Sequence, residues 1–455
     1  MNNVAAKFDV AETELDQLAS LAEDILRRCR AAGADQAEVG VSSDRGFQIN
    51  VRMGEVETLE HTRDRGASLT VYVDQRKGSA STADTGSASL QATVDQACAI
   101  ARYTERDVAS GLADANLMAT GFPDLDLWHP WSIEPAQAIG LALACEQAGR
   151  DFDPRIVNAD GTSIGTQQSV GVYANSHGFI GRERGTRHHL SCSLLASAND
   201  EMQRDDHYDS QRAASDLLDG ATIGRRAAEK ALARLGARSL STRECPVLFV
   251  PELARGVIGH LLGAVSGGAL YRGATFLADS QGQQVLPAWM SLVERPWIAR
   301  GQASAGFDGE GVATRESPLV EQGVLARYIL SSYSARKLGL ATTANAGGVH
   351  NLEVTCNGPD FAGMLAELGT GLLVTELMGQ GVSIVTGDYS RGAAGFWVEG
   401  GEIVHAVGEV TIAGHLRDIW KGIRLIGSDI DRRGSILMGS MLIERMTVAG
   451  AEPTQ

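Results

Sequence analysis

The sequence predicts an α+β protein, with helices packed on an antiparallel sheet in its N-terminal half and a β-rich, barrel-like domain in its C-terminal half. Its 53 glycines against 11 prolines favour tight turns and β-bulges over long helical bundles. Apolar residues alternate along many short runs, as in strands, and recur at helical spacing in a few longer ones. A chain of 455 residues also exceeds one ordinary core.

The N-terminal half begins with a predicted helix and a small sheet. Gly33 is suited to end the helix, and the alternating runs 47–51 and 69–73 predict antiparallel strands. Further helices are predicted over residues 87–102 and 135–147, the latter with a proline in its first turn. The apolar residues that share one face of the first helix are Leu15, Leu18, Ala22, Ile25, Leu26 and Cys29.

Strands return over residues 156–210, and a long helix is predicted over residues 216–235. Asp160-Gly161 and residues 175–178 are turn sequences within this stretch. Residues 161–165 match the Gly-x-Ser-x-Gly pattern of a hydrolase nucleophile, which requires a helix after the turn. Because an alternating strand pattern follows instead, we expect a hairpin there and no serine hydrolase.

A domain boundary is predicted near residue 240, where the polar run 236–239 gives way to the apolar strand 246–250. Residues 121–131 form a predicted linker. The division gives an N-terminal domain of residues 1–240, with sub-segments of about 36–105 and 130–236, and a C-terminal domain of residues 241–455. The C-terminal domain has a predicted helix starting at Pro251-Glu252, then strands over residues 373–377, 384–385, 396–398 and 403–404.

Composition excludes several classes of function. A net charge of −16 repels a phosphate backbone, so direct binding to nucleic acid is not expected. Residues 1–15 carry acids and no apolar signal core, and no run reaches the length of a membrane span. We therefore expect a cytoplasmic protein without a membrane anchor. The six cysteines include no Cys-x-x-Cys pair, which argues against a zinc knuckle or a redox motif.

Two groups of potential metal ligands are not expected to bind a metal. Alternation along a strand sends His188 and Cys192 to one face and His189 to the other, so at most two ligands converge. Asp205, Asp206 and Asp209 form an acidic group that lacks the spacing of a calcium loop, and we expect them on a solvated loop.

Several separated motifs, in order along the chain, resemble the TldD/PmbA family and are closest to its PmbA branch, also called TldE. The resemblance extends from about residue 37 to residue 450. The motifs are PELARGVIGHLLGA (251–264), GALYRGATF (268–276), GVLARYILSSYSARKLG (323–339), VTGDYSRGAAGFW (385–397) and MTVAG (446–450).

The resemblance implies a complex in which the TldD branch is a zinc metallopeptidase and the PmbA branch is its partner, together cleaving peptides that include microcin precursors. Older family names mention modulation of DNA gyrase. The zinc site of the TldD branch uses His-Glu-x-x-x-His on a helix and a cysteine near the C-terminus, with the glutamate as general base. The matching positions here are Arg255, Gly256 and His260.

These replacements imply a chain with no catalytic residue and no metal of its own. The guanidinium of Arg255 has no lone pair for Zn²⁺, and Gly256 lacks the general base. Residues 427–434 stand where the cysteine would lie, and no cysteine follows Cys356. We expect zinc only in the TldD-type partner. For His260 we expect a structural role, hydrogen-bonded at a helix-sheet contact.

The sequence therefore predicts a subunit of a zinc peptidase complex that controls access of unfolded peptides. Strand edges within residues 372–404 could bind an extended peptide through main-chain pairing. Two alternatives remain open. One is a homodimer that binds peptides or another protein without proteolysis. The other is a self-sufficient hydrolase, whose least implausible residues are Ser331, Ser332, Ser334 and His350.

Overall fold

A computed structural model describes residues 2–450, with side chains from Ala11 onward, so the expectation about residues 1–15 lies partly outside the described residues. The helices of the N-terminal half are α1 (Asn2–Ala31), α2 (Ser87–Tyr103), α3 (Pro135–Arg150) and α4 (Gly220–Ala233). Its strands are β1 (Gln36–Arg52), β2 (Glu55–Val73), β3 (Arg76–Thr82), β4 (Ile156–Asn175), β5 (Ile180–Ala198) and β6 (Glu201–Gln211).

The C-terminal half contains shorter elements. Its helices are α5 (Pro251–Ala264), α6 (Gly267–Tyr271), α7 (Ser332–Leu338), α8 (Phe361–Leu368) and α9 (Leu416–Lys421). Its strands are β7 (Arg243–Phe249), β8 (Leu292–Glu294), β9 (Ser317–Glu321), β10 (Val324–Leu325), β11 (Leu352–Val354), β12 (Gly371–Met378), β13 (Asp388–Glu399), β14 (Glu402–His415), β15 (Ile423–Ile426), β16 (Ile436–Leu437) and β17 (Met441–Ala449).

In the N-terminal half, β1 to β6 form one antiparallel sheet in the order β3-β2-β1-β4-β5-β6. Alternation puts Val39 and Ile49 on the same face of β1, and both are buried. Val39 belongs to the core formed with α1 and α2, whereas Ile49 belongs to the core formed with α3 and α4. The helices thus cover one face of the sheet in two groups, which confirms the predicted α+β class.

The hairpin predicted at residues 160–165 is wrong, because β4 runs unbroken through this stretch. Gly161 has a φ of 138°, and the pairing with β5 shifts register between Ala159 and Gly161. The glycine therefore makes a β-bulge, in a backbone conformation that other residues rarely adopt. The turn predicted over residues 175–178 is confirmed, and it joins β4 to β5.

The main sheet of the C-terminal half closes on itself. Its strand order is β14-β13-β12-β7-β17-β15, and an additional pairing of β14 with β17 closes the first five into a barrel. This closure confirms the predicted barrel-like domain. A second sheet has the order β10-β9-β8-β11-β16. The strands on the two sides of residue 240 belong to different sheets, and the division into domains at that residue stays a prediction.

Helix α5 packs on one face of the barrel strands, and α8 packs on the other. Pro251 occupies the first turn of α5, where its missing N–H costs no hydrogen bond. Val257, Ile258 and Leu261 are buried in the same core as strand residues. The indole nitrogen of the buried Trp420, on α9, donates to the carbonyl of Val257 at 3.1 Å. These contacts fix the position of α5.

Two other predicted elements differ from the structure. The helix predicted over residues 216–235 is shorter, because Asp219 accepts a hydrogen bond from the Thr222 amide and caps α4 at its start. Residues 384–385 form a turn before β13 rather than a strand. Val382 and Tyr389 are bridged across that turn, so the chain reverses there. Among the described residues, no helix has the length and apolar character needed to cross a bilayer.

Candidate functional site

The three positions singled out by the family resemblance lie on α5 but face different surroundings. Arg255 is half-buried and its side chain extends towards the C-terminal segment that contains Asp431. Gly256 is exposed, and a Cβ atom built on it would meet no heavy atom within 4 Å. His260 lies further along the helix, half-buried against the ring of Tyr389. The three positions therefore do not converge on a common site in the structure.

Arg255 joins three separate parts of the chain. Its Nη1 atom donates to Oδ2 of Asp431 at 3.2 Å, and its Nη2 atom donates to the hydroxyl of Tyr208, on β6, at 3.0 Å. Asp431 is buried, so this ion pair is shielded from water on one side. Gly434 leaves room for it, because a Cβ there would lie 2.8 Å from Nη1 of Arg255.

A second cation completes the network around Asp431. Arg433 donates from Nε to Oδ1 of Asp431 at 2.8 Å and from Nη2 to Oε1 of Glu252 at 2.5 Å. Its guanidinium also lies 4.4 Å from the centre of the Tyr208 ring. Two guanidinium groups thus balance two carboxylates. Arg433 and Tyr208 were not predicted as site residues, since neither carries chemistry that its local sequence makes visible.

The network controls the charge of Asp431. Burial alone raises the pKa of this carboxyl, but the hydrogen bonds and charge of Arg433, together with the charge of Arg255, outweigh it and hold the pKa below its usual value. Asp431 is therefore ionised at neutral pH and fully engaged by cations.

The residues of this site do not fit a zinc ion. Arg255 offers donors only, Gly256 offers no side chain, and the carboxylate of Asp431 is already shared by two guanidinium groups. No group of three or more potential metal ligands occurs among the residues that the structure describes. A catalytic zinc site needs three protein ligands and an open position. No chemical step through a metal is therefore derived for this site.

His260 makes a ring contact where a hydrogen bond was expected. Its ring lies 5.9 Å from that of Tyr389, in an edge-to-face arrangement. Within residues 11–450 it has no hydrogen-bond partner. Burial, and then the nearby charge of Arg391, lower the pKa of His260, so the imidazole is neutral at neutral pH. The predicted helix-sheet contact is present, but the predicted hydrogen bond is not.

A cleft of about 1510 Å³ opens beside this network, between β6 and α4 of the N-terminal half and the barrel. Glu252, Tyr208 and Arg433 line it, together with the acidic residues of β6 and an apolar wall. The apolar wall includes Leu218, Phe361, Phe396, Ile403 and Val404.

His207 projects from β6 into this cleft between cations. Burial, then the charges of Lys230 and Arg226, lower the pKa of His207 to about 4. The imidazole of His207 is therefore neutral near pH 7.

The acidic group predicted on a solvated loop lies on β6 instead, so that prediction is wrong. Asp209 is buried and accepts hydrogen bonds from the amides of Ser210 and Leu218. Asp205 pairs at 3.4 Å with Arg234, the residue that follows α4. These carboxylates hold α4 and the turn before it against the sheet. They do so by pairing with main-chain amides that would otherwise be unpaired and with a cation.

The other residues that were considered as metal ligands or as a nucleophile do not form a common site. The His188 ring bonds Thr166 and the carbonyl of His129, both at 2.9 Å, whereas His189 lies on the other face, 3.4 Å from the Ser163 hydroxyl. Ser163 lies within β4, without the strand-to-helix turn of a hydrolase nucleophile.

The candidate residues of a self-sufficient hydrolase do not assemble into a catalytic pair, and the buried hydroxyl of Ser332 has no hydrogen-bond partner among the described residues. Ser331 caps α7 by accepting from the Ser334 amide, and the hydroxyl oxygen of Ser334 accepts a hydrogen bond from the Ser331 amide. His350 is bound to Glu294 at 2.9 Å. No serine of this group is hydrogen-bonded to His350 among the described residues. A self-sufficient hydrolase would need a nucleophile in contact with a base, and the geometry of these residues does not provide that contact.

Comparison with known proteins agrees with this architecture. Family models described as PmbA/TldA metallopeptidase domain 1, central domain and C-terminal domain match residues 37–101, 128–235 and 242–450. The chain belongs to the PmbA/TldD metallopeptidase family. Metalloprotease PmbA from Escherichia coli O157:H7 is 48% identical over 417 residues, which covers 92% of this chain and 93% of that protein. The chain thus belongs to the PmbA branch, as the sequence motifs predicted.

Two solved structures share the fold of this chain. A protein from Bacteroides thetaiotaomicron that is named for modulation of DNA gyrase has 26% identity and a TM-score of 0.90, covering 95% of this chain and 98% of its own. TldE from Thermococcus kodakarensis has 20% identity and a TM-score of 0.83, covering 94% of this chain and all of its own. The latter likeness supports the fold alone.

Proposed function

We propose that the chain is a non-catalytic, cytoplasmic subunit of a zinc peptidase complex that acts on unfolded peptides with a TldD-type metallopeptidase. The observation that carries this proposal is the ion pair between Arg255 and Asp431. The family resemblance puts zinc ligands on this helix and in this C-terminal segment. Here a cation and a carboxylate, both supplied by the chain, join the same two elements.

The replacement explains how the fold can persist without a metal. A structural link between α5 and the C-terminal segment stabilises both elements whether it is a metal or an ion pair. The pair also blocks metal binding, because the guanidinium of Arg255 repels a divalent cation and saturates Asp431. The chain would then contribute shape rather than chemistry to a complex.

The cleft supports a role in guiding peptides. Its volume of about 1510 Å³ suits an extended segment of several residues rather than a folded domain. Acidic side chains and an apolar wall line it together, which favours peptides that carry basic and apolar residues. A subunit with such a groove can present a peptide to a catalytic partner and exclude folded proteins.

Main-chain pairing with a peptide is possible at fewer strand edges than the sequence suggested. Strands β12 and β13 have neighbours on both sides in the barrel. In β14, residues 402–405 pair with β13, and no strand covers their other edge in the described part of the chain. Ile403 and Val404 are exposed and line the cleft. This short edge is where we expect an extended peptide to add.

Reconstitution tests the proposed function. Unstructured peptides would be incubated with a TldD-type subunit alone, with this chain alone, and with both, and the products would be measured by mass spectrometry. We expect zinc-dependent cleavage only in the mixture, or much faster cleavage there. Cleavage by the TldD-type subunit that is unchanged by this chain would contradict the proposal, as would cleavage by this chain alone.

A metal analysis of the purified chain provides a separate check. We expect zinc well below one ion per chain after dialysis, since the site offers no set of three ligands. A TldD-type subunit treated in the same way is the control and should retain zinc. One tightly held zinc per chain of this protein would overturn the assignment of a non-catalytic subunit.

A second candidate function is a peptide-binding homodimer, and one observation favours it. Residues 55–66 of β2 have no strand on their outer edge within the described part of the chain, and nearly all are exposed. Antiparallel pairing with a second copy would set Glu57 against Arg63 and Glu55 against Arg65. Native mass measurement of the chain with and without a TldD-type subunit discriminates between the two assemblies.

A further inference from the structure

A second cavity lies on the face of the N-terminal sheet that the helices leave uncovered. Its volume is about 970 Å³, and it shares no lining residue with the cleft beside Arg255. Strands β1 to β5 form its floor, and the loops 303–309 and 346–350 of the C-terminal half form its roof. A cavity of this size suits a small molecule or the end of a peptide.

Small residues leave space on the floor of this cavity. Residues that are directly opposite in antiparallel strands point to the same face, and the pairing puts Gly66, Ser42 and Gly171 in one row. The row continues to Glu183 of β5, which is opposite Gly171. A Cβ atom built on Gly171 would meet only the carbonyl oxygen of Val41 within 4 Å among the described residues, at 3.7 Å. The floor is therefore open next to a carboxylate.

Glu183 lines this cavity without a partner. Its neighbours in β5, Arg182 and Arg184, point to the other face of the sheet, where they pair with acidic residues of α1. The Glu183 side chain is exposed to the cavity, and it makes no hydrogen bond or ion pair among the described residues. The surrounding protein replaces part of its hydration, which raises the pKa of this carboxyl. A cation that enters the cavity would find this carboxylate free.

His350 supplies a second acceptor, from the roof. Its Nδ1 atom lies 2.9 Å from Oε1 of Glu294, which is buried. Burial raises the pKa of Glu294, but the hydrogen bonds of His350 and the charge of Arg327 outweigh it and lower the pKa. Glu294 is therefore ionised and can only accept, so Nδ1 of His350 carries the proton and Nε2 is an acceptor. Nε2 has no hydrogen-bond partner among the described residues, and a protonated His350 is close enough to lower the pKa of Glu183.

The roof is held in place by the chain itself. Asp308 is buried and accepts from the amides of Glu310 and Ala346, at 2.9 and 3.0 Å, which joins the two loops. Asn351 accepts from the amide of Ala303 at 3.0 Å and joins them a second time. No lysine or arginine is among the described residues that line the cavity. The cavity is thus a preformed space with free acceptors and without a cation of its own.

We propose that Glu183 and His350 form a binding site for a primary ammonium group. An ammonium group has three donors and no acceptor, which matches the two oxygen atoms of Glu183 and the Nε2 atom of His350. Its single positive charge balances one carboxylate. A metal ion matches less well, because two side chains are fewer than the three ligands that a zinc site needs, and no group of three occurs among the described residues.

Two sources can supply the ammonium group, and they share the same chemistry. One is the N-terminus of a peptide, and the other is a lysine side chain. The cavity is formed by this chain alone and is separate from the cleft to which the proposed function assigns peptides. Its test therefore needs no TldD-type partner, and its failure would leave the proposed function untouched.

Calorimetric titration of the purified full chain at about pH 7, where both kinds of ammonium group are mainly protonated, tests the site and identifies the source. The probes are alanyl-alanine amide, the N-acetylated form of the same dipeptide amide, and Nα-acetyl-lysine amide. Binding of alanyl-alanine amide without the lysine probe assigns a peptide N-terminus, and the reverse assigns a lysine side chain. Binding of both assigns an ammonium group of either source. Equal binding of the acetylated dipeptide amide, or no binding by any probe, would overturn the proposal.

Two variants connect binding with the cavity. Glu183→Gln keeps the shape of the side chain and removes its charge, and we expect the ammonium probes to bind about 10–100-fold more weakly, as for the loss of a hydrogen bond to a charged group. Gly171→Val fills the floor opposite Glu183 with a residue that suits a strand, and it should weaken binding to a similar extent. Glu321→Gln, at an exposed residue that does not line the cavity, is the control and should bind normally. Thermal unfolding checks that each variant is folded. Unchanged binding by both cavity variants would refute the site.

Discussion

At the scale of single residues, position 255 illustrates how side-chain chemistry restricts function. A guanidinium cannot donate an electron pair, so the sequence alone predicted that Arg255 could not hold zinc. Its actual partners, Asp431 and Tyr208, are known only from the structure. This residue, which offers no lone pair to a metal, links α5, β6 and the C-terminal segment.

Replacing Arg255 should destabilise the fold. Arg255→Met keeps the aliphatic stem but leaves Asp431 with one cation, and we expect a loss of about 1–3 kcal/mol in the free energy of unfolding, measured in urea. The exposed neighbour Arg432 is the control, and Arg432→Met should change stability little. Combining Arg255→Met with Asp431→Asn should cost less than the sum of the two. Strictly additive losses would show that the pair is not coupled.

His207 should make stability depend on pH. The pKa of His207 is lowered from 6.5 to about 4, so below pH 6.5 the unfolded chain takes up a proton that the folded chain refuses. The free energy of unfolding should fall between pH 6.5 and about pH 4, by an amount on the order of 2 kcal/mol. Urea titrations should show this loss of unfolding free energy between pH 7.5 and pH 5 in the native chain and in the control His61→Gln. The loss should be absent in His207→Gln.

At the scale of elements, most errors of prediction came from glycine and from turns. Asp160-Gly161 has the composition of a tight turn, yet the sheet continues through it because Gly161 adopts a bulge. The pairing of β4 with both β1 and β5 from Thr162 onward keeps the strand continuous there. Short-range sequence does not contain these neighbours, so it could not distinguish a turn from a bulge.

Two glycine substitutions should have opposite effects. Gly161→Ala forces a side chain into a conformation with φ of 138° and should cost about 1–2 kcal/mol. Gly140→Ala lies in α3, where a Cβ would meet nothing within 4 Å, and should stabilise by up to about 1 kcal/mol. Thermal and urea unfolding of both variants test this. Equal effects of the same sign would contradict the assignment of the bulge.

At the scale of the whole molecule, the two halves face each other across the cleft. Arg234, which follows α4, is paired with Glu376 of β12, and Arg212 donates to the carbonyl of Gln302 at 2.8 Å. These contacts keep β6 opposite the barrel and leave the groove open between them. Under the proposed function, the groove rather than any single residue is what this subunit adds to a complex.

A charge on the apolar wall should therefore impair peptide cleavage without harming the fold. Val404 is 51% exposed and lines the cleft, so Val404→Glu should slow cleavage by the reconstituted complex severalfold while thermal unfolding stays unchanged. Val385, 55% exposed on a turn that does not line the cleft, is the control position. Equal rates for the two variants would argue against peptide passage through this groove.

The sequence by itself determined the α+β class, the barrel-like second half, the family and the inability of position 255 to ligate zinc. These properties follow from local periodicity, ordered motifs and the electron pairs of single side chains. Only the tertiary structure decided which groups meet. Arg255 and Asp431 are 176 positions apart, and their contact depends on how the barrel closes and where β6 packs. The unpaired acceptors of Glu183 and His350 emerged in the same way, because an absent partner is visible only when all neighbours are in place.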